Sequence, residues 1–213
     1  MAIVVLAFLG AFLAIGLGLQ GIVQYRRTGY SVVRGLYRRP LSKEWWIGEC
    51  WLAGFVGIAI GAVLDLYDLL PPLPGLAGPT RVVGVGVAVA GFAGTEWAVV
   101  AMGEAWRVGV DESERTRLVI AGPFRLVRNP IYSCMVVLAA GLALMVPVIV
   151  SWVGAALVAL GLELQVRVLE EPYLLRTHGD AWMQYASAVG RFIPRVGRLA
   201  PDRRSSGDHG PTV

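Results

Sequence analysis

Two stretches of this sequence hold residues whose types and spacing can do chemistry. The first is Gly122-Pro123-Phe124-Arg125-Leu126-Val127-Arg128-Asn129-Pro130-Ile131-Tyr132. It places two arginines, two prolines and an amide directly before a long apolar run that begins at Ile131. Pro130 disfavours helical backbone at Asn129 and is itself suited to the first turn of a helix. The backbone before it is therefore expected to be irregular, with the N–H groups of the helix start presented beside Arg125 and Arg128. Such a place can hold an anionic or carboxylate-bearing ligand. A positively charged anchor at a membrane interface accounts for the same residues.

The second stretch is Glu163, Arg167, Glu170 and Glu171. At 100° per residue these positions share one helical face, so an acidic and basic stripe continues out of an apolar run. It is either a solvated face of i,i+4 pairs or a functional site, since carboxylates at a membrane boundary are costly. Pro172 follows Glu171 directly and predicts a kink that turns Glu171 toward whatever the bend encloses. Glu96 lies alone inside another apolar run, as a snorkelling carboxylate or as a site residue. His178 and His209 are too few and too far apart for a metal site. Cys50 and Cys134 fall in or near apolar runs and behave as small hydrophobes. No phosphate-binding, dinucleotide-binding or serine-nucleophile motif is present.

The elements that must position these residues are membrane helices. Of 213 residues, 56% are hydrophobic and only 16% charged, whereas a soluble domain carries about a quarter charged. Apolar runs are expected to span at residues 2–23, 46–66 and 82–102. Two shorter runs, 131–146 and 148–162, are separated by Pro147 and form a tight hairpin. Trp45, Trp46 and Trp51 near one end of the second span and Tyr67 at the other suit the two interfaces. Small residues recur in the second span (Gly57, Gly61) and the third (Gly84, Gly86, Ala90, Gly91, Gly94), which predicts that these two helices pack on each other. An amphipathic helix follows over 163–189. The expected fold is an all-α integral membrane protein of about five transmembrane helices, with a C-terminal helical hairpin and a cytoplasmic amphipathic helix. Residues 1–102 form three N-terminal helices with a basic loop, 103–195 a core, and 196–213 a tail that is disordered in composition from Pro201 onward.

The charges set the expected orientation. Six Lys and Arg fall in 25–44, five in 103–129 and seven after Leu162, leaving Arg81 alone on the opposite side. By the positive-inside rule the N-terminus is outside and the C-terminus cytoplasmic. The pI of 9.4 then reports topology and attraction to anionic lipid, and a nucleic-acid partner is not expected.

Gly122-Pro123-Phe124-Arg125, Arg128-Asn129-Pro130-Ile131-Tyr132, Glu170-Glu171, Leu174, Gly179, Tyr185 and Arg191-Phe192-Ile193-Pro194, with the lead-in Met102-Gly103 and Trp106-Arg107, resemble the signature of the isoprenylcysteine carboxyl methyltransferase family and related membrane phospholipid methyltransferases. The resemblance covers residues 100–195. It implies an integral-membrane enzyme that uses S-adenosyl-L-methionine in a cytoplasm-facing pocket roofed by the C-terminal segment. It also implies a lipophilic small-molecule or lipidated acceptor that arrives from the bilayer. Gly122, Pro123, Phe124, Arg125, Arg128, Asn129, Pro130, Tyr132, Glu170, Glu171 and Tyr185 would contact the cofactor on this reading. Arg167 would orient an acidic acceptor group, and Glu163 or Glu171 would act as base for a phenol or amine. Asn129 stands where the family usually has His. Asn can donate and accept hydrogen bonds but cannot titrate near neutral pH, which excludes a general-base role at that position. The acceptor is left open between a carboxylate or hydroxyl of a prenyl or other lipid and a phospholipid amine. An NADPH-dependent membrane sterol-reductase-like enzyme is the nearest enzymatic alternative. A membrane scaffold or transporter subunit is the non-enzymatic one.

Overall fold

The computed structural model describes residues 1–29, 41–76, 78–106 and 117–200. Arg34, Arg38 and Arg39 of the basic loop, Arg107 of the lead-in, His209 and the tail from Pro201 lie outside them. The chain is an all-α membrane protein. Helix α1 covers Ala2–Thr28, α2 Lys43–Leu66, α3 Pro79–Met102, α4 Pro130–Met145, α5 Ile149–His178 and α6 Asp180–Ala188. Four of them (α1, α2, α3 and α5) are long and apolar enough to cross a membrane. Helix α4 is the shorter fifth member, roughly 24 Å at 1.5 Å per residue. Their outer faces carry Ile3, Val56, Ile60, Val82, Val100, Val153 and Leu160 exposed, an apolar belt that suits lipid and not water.

Local chemistry sets the helix ends. The Ser42 side chain accepts from the Trp45 N–H and opens α2, while Pro79 and Pro130 open α3 and α4, where a missing N–H costs little. Gly29 closes α1 in the left-handed conformation, φ 75°. Two helices contain wider π turns, Leu13–Leu19 in α1 and Gln165–Glu170 in α5.

The small residues of α2 and α3 do not bring those two helices together, contrary to the sequence expectation. Each instead packs on one arm of the hairpin formed by α4 and α5, which contributes small residues of its own. A Cβ built on Gly54 would lie 2.6 Å from the Gly154 carbonyl oxygen, and one on Gly84 2.8 Å from the Gly141 oxygen. Helices α2 and α5, and α3 and α4, therefore meet backbone to backbone. Fully buried Ile58, Leu138, Leu142, Met145, Val158 and Leu162 fill the centre. Helix α1 leans on this group through Phe12, whose ring lies 5.5 Å from Phe55 and 6.2 Å from Phe92.

The hairpin turn at Pro147 is tied to the loop between α2 and α3 by Leu73 N–H donating to Pro147 O at 2.7 Å. At the other end of the bundle, the Gln24 amide of α1 donates to Glu104 O at 2.7 Å. Residues 196–200, expected in the tail, are folded back: Leu199 N–H donates to Ala186 O and Arg191 N–H to Val196 O.

Candidate active site

At the end of the bundle marked by Gln24 and Glu104, the irregular segment before α4 meets the segment after α6. Gly122, with φ 60°, starts a tight turn over Gly122–Arg125. The backbone then runs beside residues 190–191. Val127 and Gly190 form a parallel bridge, Arg128 N–H donates to Gly190 O at 2.8 Å, and Asn129 N–H donates to Arg191 O at 3.1 Å. The Asn129 amide donates to the same Arg191 oxygen at 3.2 Å, and the Ser133 hydroxyl to Phe192 O at 2.9 Å. The non-helical backbone before Pro130 leaves the N–H groups of Arg128 and Asn129 without helical acceptors, and carbonyls of the C-terminal segment accept them instead.

Arg128 is the centre of this junction. Its side chain is buried, and it donates to Ala186 O at 2.9 Å, Val189 O at 2.6 Å, Gly197 O at 3.1 Å and Glu171 Oε1 at 2.7 Å. Its guanidinium also sits 5.7 Å from the centre of the Trp182 ring. Glu171 meets a second guanidinium, with both carboxylate oxygens 2.8 Å from Arg191. This pairing holds the Arg191 guanidinium above its ordinary value. Tyr185 donates to Phe124 O at 2.6 Å, and burial pushes its phenol up to about 12, so it stays a donor at neutral pH.

Beside the junction lies a cavity of about 370 Å³, within the usual size range of small-molecule sites. Its polar end is lined by Arg128, Asn129, Tyr132, Gln165, Glu170 and Tyr185, with Trp182 and Phe124 beside them. Tyr132 donates to Glu170, and the Gln165 amide donates to the same oxygen at 3.3 Å. The cavity continues between α1, α2 and α3 along apolar side chains that include Phe12, Phe55 and Val99. It reaches Glu96 there.

The residues singled out in the sequence fall into three sets. Phe124, Arg128, Asn129, Pro130, Tyr132, Glu170 and Tyr185 line the cavity. Gly122, Pro123 and Arg125 are not among the lining residues; they build the turn, and Arg125 is exposed. The four-residue stripe is split. Glu163 and Arg167 pair with each other on the outer face of α5 and do not reach the cavity. Glu171 is turned to Arg128 and Arg191, also outside the lining. The reason is the π turn over Gln165–Glu170, which advances fewer degrees per residue than an α turn and so breaks the 100° register. Regular α-helix restarts at Glu171 with Pro172 in its first turn, directly after the π turn, and α5 continues to His178. Trp182 and Gln165 were not legible as site residues, and Trp106 entered only as part of the lead-in to the family signature. Gln165 offered a weak signal as an amide at the end of an apolar run, now buried in the π turn.

The donor set suits an adenosylated amino-acid sulfonium. Glu170, Tyr132 and Asn129 offer hydrogen bonds to hydroxyls and an amino group, Trp182 and Phe124 offer aromatic surface, and Arg128 Nε is buried without a partner among the described residues.

A comparison with curated proteins finds no match. Residues 79–181, from the start of α3 into α6, match the family described as phospholipid methyltransferase. The match begins before the motif stretch recognised in the sequence and ends before Tyr185 and Arg191. Residues 79–181 are thus similar to the phospholipid methyltransferase family, the second of the two names that the motifs resemble, and the match supports a membrane methyltransferase.

Proposed function

We propose that the chain transfers a methyl group from S-adenosyl-L-methionine to a lipophilic acceptor that enters the cavity from the bilayer. The observation that carries this reading is the continuity of one cavity from a polar end, at Asn129, Tyr132, Glu170 and Tyr185, to an apolar end between α1, α2 and α3. A water-soluble donor and a lipid acceptor need such a pair of ends.

When bound, the cofactor supplies a methyl group on an already activated sulfonium. The residues of the chain bind, orient and exclude water. Glu170, held by Tyr132 and Gln165, accepts hydrogen bonds from ribose hydroxyls or the amino group. Asn129 keeps its amide on Arg191 O and offers its side-chain oxygen as an acceptor. Arg128 and Glu171 hold the roof formed by residues 180–199 over the site. The acceptor class is a lipid-like molecule with a carboxylate or hydroxyl; Arg167 and Glu163 pair with each other away from the cavity lining, and the reading assigns them no part in the transfer. The polar end faces the cytoplasm, with the N-terminus outside.

Calorimetric titration of the purified protein in detergent tests the reading. Saturable binding of S-adenosyl-L-methionine and of its demethylated product at micromolar levels is expected, with little binding of NADPH. NADPH binding without S-adenosyl-L-methionine binding reverses the assignment in favour of a reductase.

A further inference from the structure

The outer side of the roof carries a surface that methyl transfer does not use. Ile193, Pro194, Arg195, Val196, Gly197 and Arg198 are all exposed. Ile193 and Val196 are 61% and 58% exposed although both are apolar. Val196 N–H donates to Ile193 O at 3.1 Å and closes a four-residue turn. Pro194 suits the second position of that turn. The third holds Arg195 at φ 69°, a left-handed position that ordinarily takes glycine or asparagine. An arginine there is strained, and such strain is found where the side chain has a task.

The arginines at this end of the bundle fall into two groups. Arg128, Arg191 and Arg167 each meet a carboxylate. Arg195 and Arg198, beside the apolar pair, meet none among the described residues. The depth of the turn is fixed as well. The Ser133 hydroxyl, in the first turn of α4, donates to Phe192 O at 2.9 Å. The chain therefore reaches Ile193 at the level where the apolar run of α4 begins. On α3, a Cβ at Gly94 would lie 2.6 Å from Cys134 Sγ, so the exposed Trp97, one turn further on, stands at that same level. Tryptophan favours the boundary between lipid and water.

We infer that the turn Ile193–Arg198 is a docking surface for the anionic lipid head groups of the surrounding leaflet. Ile193 and Val196 enter the interfacial layer, and the guanidiniums of Arg195 and Arg198 meet lipid phosphates. Water suits the arginines but not the apolar pair, and acyl chains suit the reverse. A head-group layer with negative charge suits both. The contact reaches the roof directly, because Arg191 N–H donates to Val196 O at 2.8 Å and Arg128 to Gly197 O at 3.1 Å. Anionic lipid therefore holds the junction of Arg128, Glu171 and Arg191 closed from outside, whatever reaction the cavity performs.

The full chain in nanodiscs of phosphatidylcholine alone, and of phosphatidylcholine mixed with phosphatidylglycerol, tests the inference by hydrogen exchange. The amides of Arg191 and Val196 are expected to exchange roughly 25-fold more slowly in the anionic discs, about fivefold for each arginine at the charged surface. Raised salt should abolish the difference. Arg195→Gly removes a charge yet suits the left-handed position better. It is expected to cut the slowing about fivefold with no fall in the unfolding midpoint, an outcome that a purely structural arginine does not give. Adding Arg198→Gln should remove the rest. Arg26→Gln, an exposed cation at the end of α1, should leave the slowing intact. Equal exchange in the two discs, or the same slowing from inorganic phosphate added to neutral discs, overturns the inference. So does slowing that persists in a folded Arg195→Gly, Arg198→Gln double variant, or that disappears in Arg26→Gln.

Discussion

Arg128 and Glu171 stand 2.7 Å apart across the junction between the segment before α4 and the end of α5. Glu171 is shared with Arg191, and Arg128 closes three backbone carbonyls of the C-terminal segment. One guanidinium thus fixes the roof to the floor of the cavity. Removing it leaves several acceptors unpaired, and breaking a buried pair costs about 3–5 kcal/mol, toward the lower figure here because Arg191 remains. Arg128→Ala is expected to lower the unfolding midpoint in detergent by roughly 5–10 °C, and by more than Arg191→Ala. Equal midpoints for Arg128→Ala and wild type, followed by circular dichroism, would remove the clamp from this account.

Glu170 and Glu171 are adjacent in sequence yet face different surroundings, so their variants should separate. Glu170→Gln is expected to weaken S-adenosyl-L-methionine binding roughly tenfold to hundredfold, the range of one lost charge-assisted hydrogen bond, with little change in thermal stability. Glu171→Gln is expected to do the reverse, costing stability first. Titration calorimetry and thermal unfolding on the same two variants check this. The reverse pattern would put Glu171 in the cavity.

How much of this could be seen in the sequence depends on what each feature needs. The five apolar runs and the hairpin at Pro147 follow from hydrophobic length alone; α2, α3 and α4 end within a few residues of those limits, whereas α1 runs on to Thr28 and α5 to His178. The R-N-P-x-Y stretch was legible because Pro130 sets irregular backbone before a helix start and because its residues match a family signature. What was not legible is register. The π turn before Pro172 carries no compositional mark, so a stripe drawn at 100° placed Glu163 and Arg167 beside Glu170, although they face outward. The partners of the glycine faces were equally hidden, because Gly54 and Gly84 state only that a close neighbour exists. The hairpin's own Gly154 and Gly141 decided which one.

Asn129 lies in the cavity lining and holds the roof through Arg191 O. Asn129→His retains a ring N–H donor and is expected to keep cofactor affinity within a few fold. Asn129→Leu removes both donor and acceptor and leaves buried partners unpaired, with an expected loss of about 1–3 kcal/mol in binding or stability. Binding isotherms for the pair decide the matter. Full retention by Asn129→Leu would show that the amide contributes nothing there.

The glycine contacts make a stability prediction independent of any ligand. A Cβ at Gly54 would meet the Gly154 carbonyl oxygen and the Val158 nitrogen, both at 2.6 Å, while one at Gly86 meets nothing within 4 Å. Gly54→Ala forces α2 and α5 apart along their whole contact, so it should lower the midpoint by several degrees. Gly86→Ala should be neutral or slightly stabilising, because alanine is the better helix former by about 1 kcal/mol. Thermal unfolding of both variants in one detergent tests the packing. A destabilising Gly86→Ala with a silent Gly54→Ala would mean that α2 and α3 use other faces.

The proposed orientation also has a direct measurement. Arg26, Arg27 and Lys43 mark the same end of the bundle as Arg128 and Arg191, whereas the opposite end holds Arg81, which pairs with Asp65 at 3.0 Å. Moving the first group across a bilayer is opposed by the positive-inside bias, and a paired arginine adds little to the other side. Single cysteines near Pro74 or Pro147 should therefore react with a membrane-impermeant reagent added to intact cells, in a background where Cys50 and Cys134 are replaced. Cysteines placed at Arg34, Glu112 or Ser205 should react only after the membrane is opened. Labelling of Ser205→Cys in sealed cells would invert the topology. The polar end of the cavity would then open away from the cytoplasm that supplies the methyl donor, and the proposed reaction would fail with it.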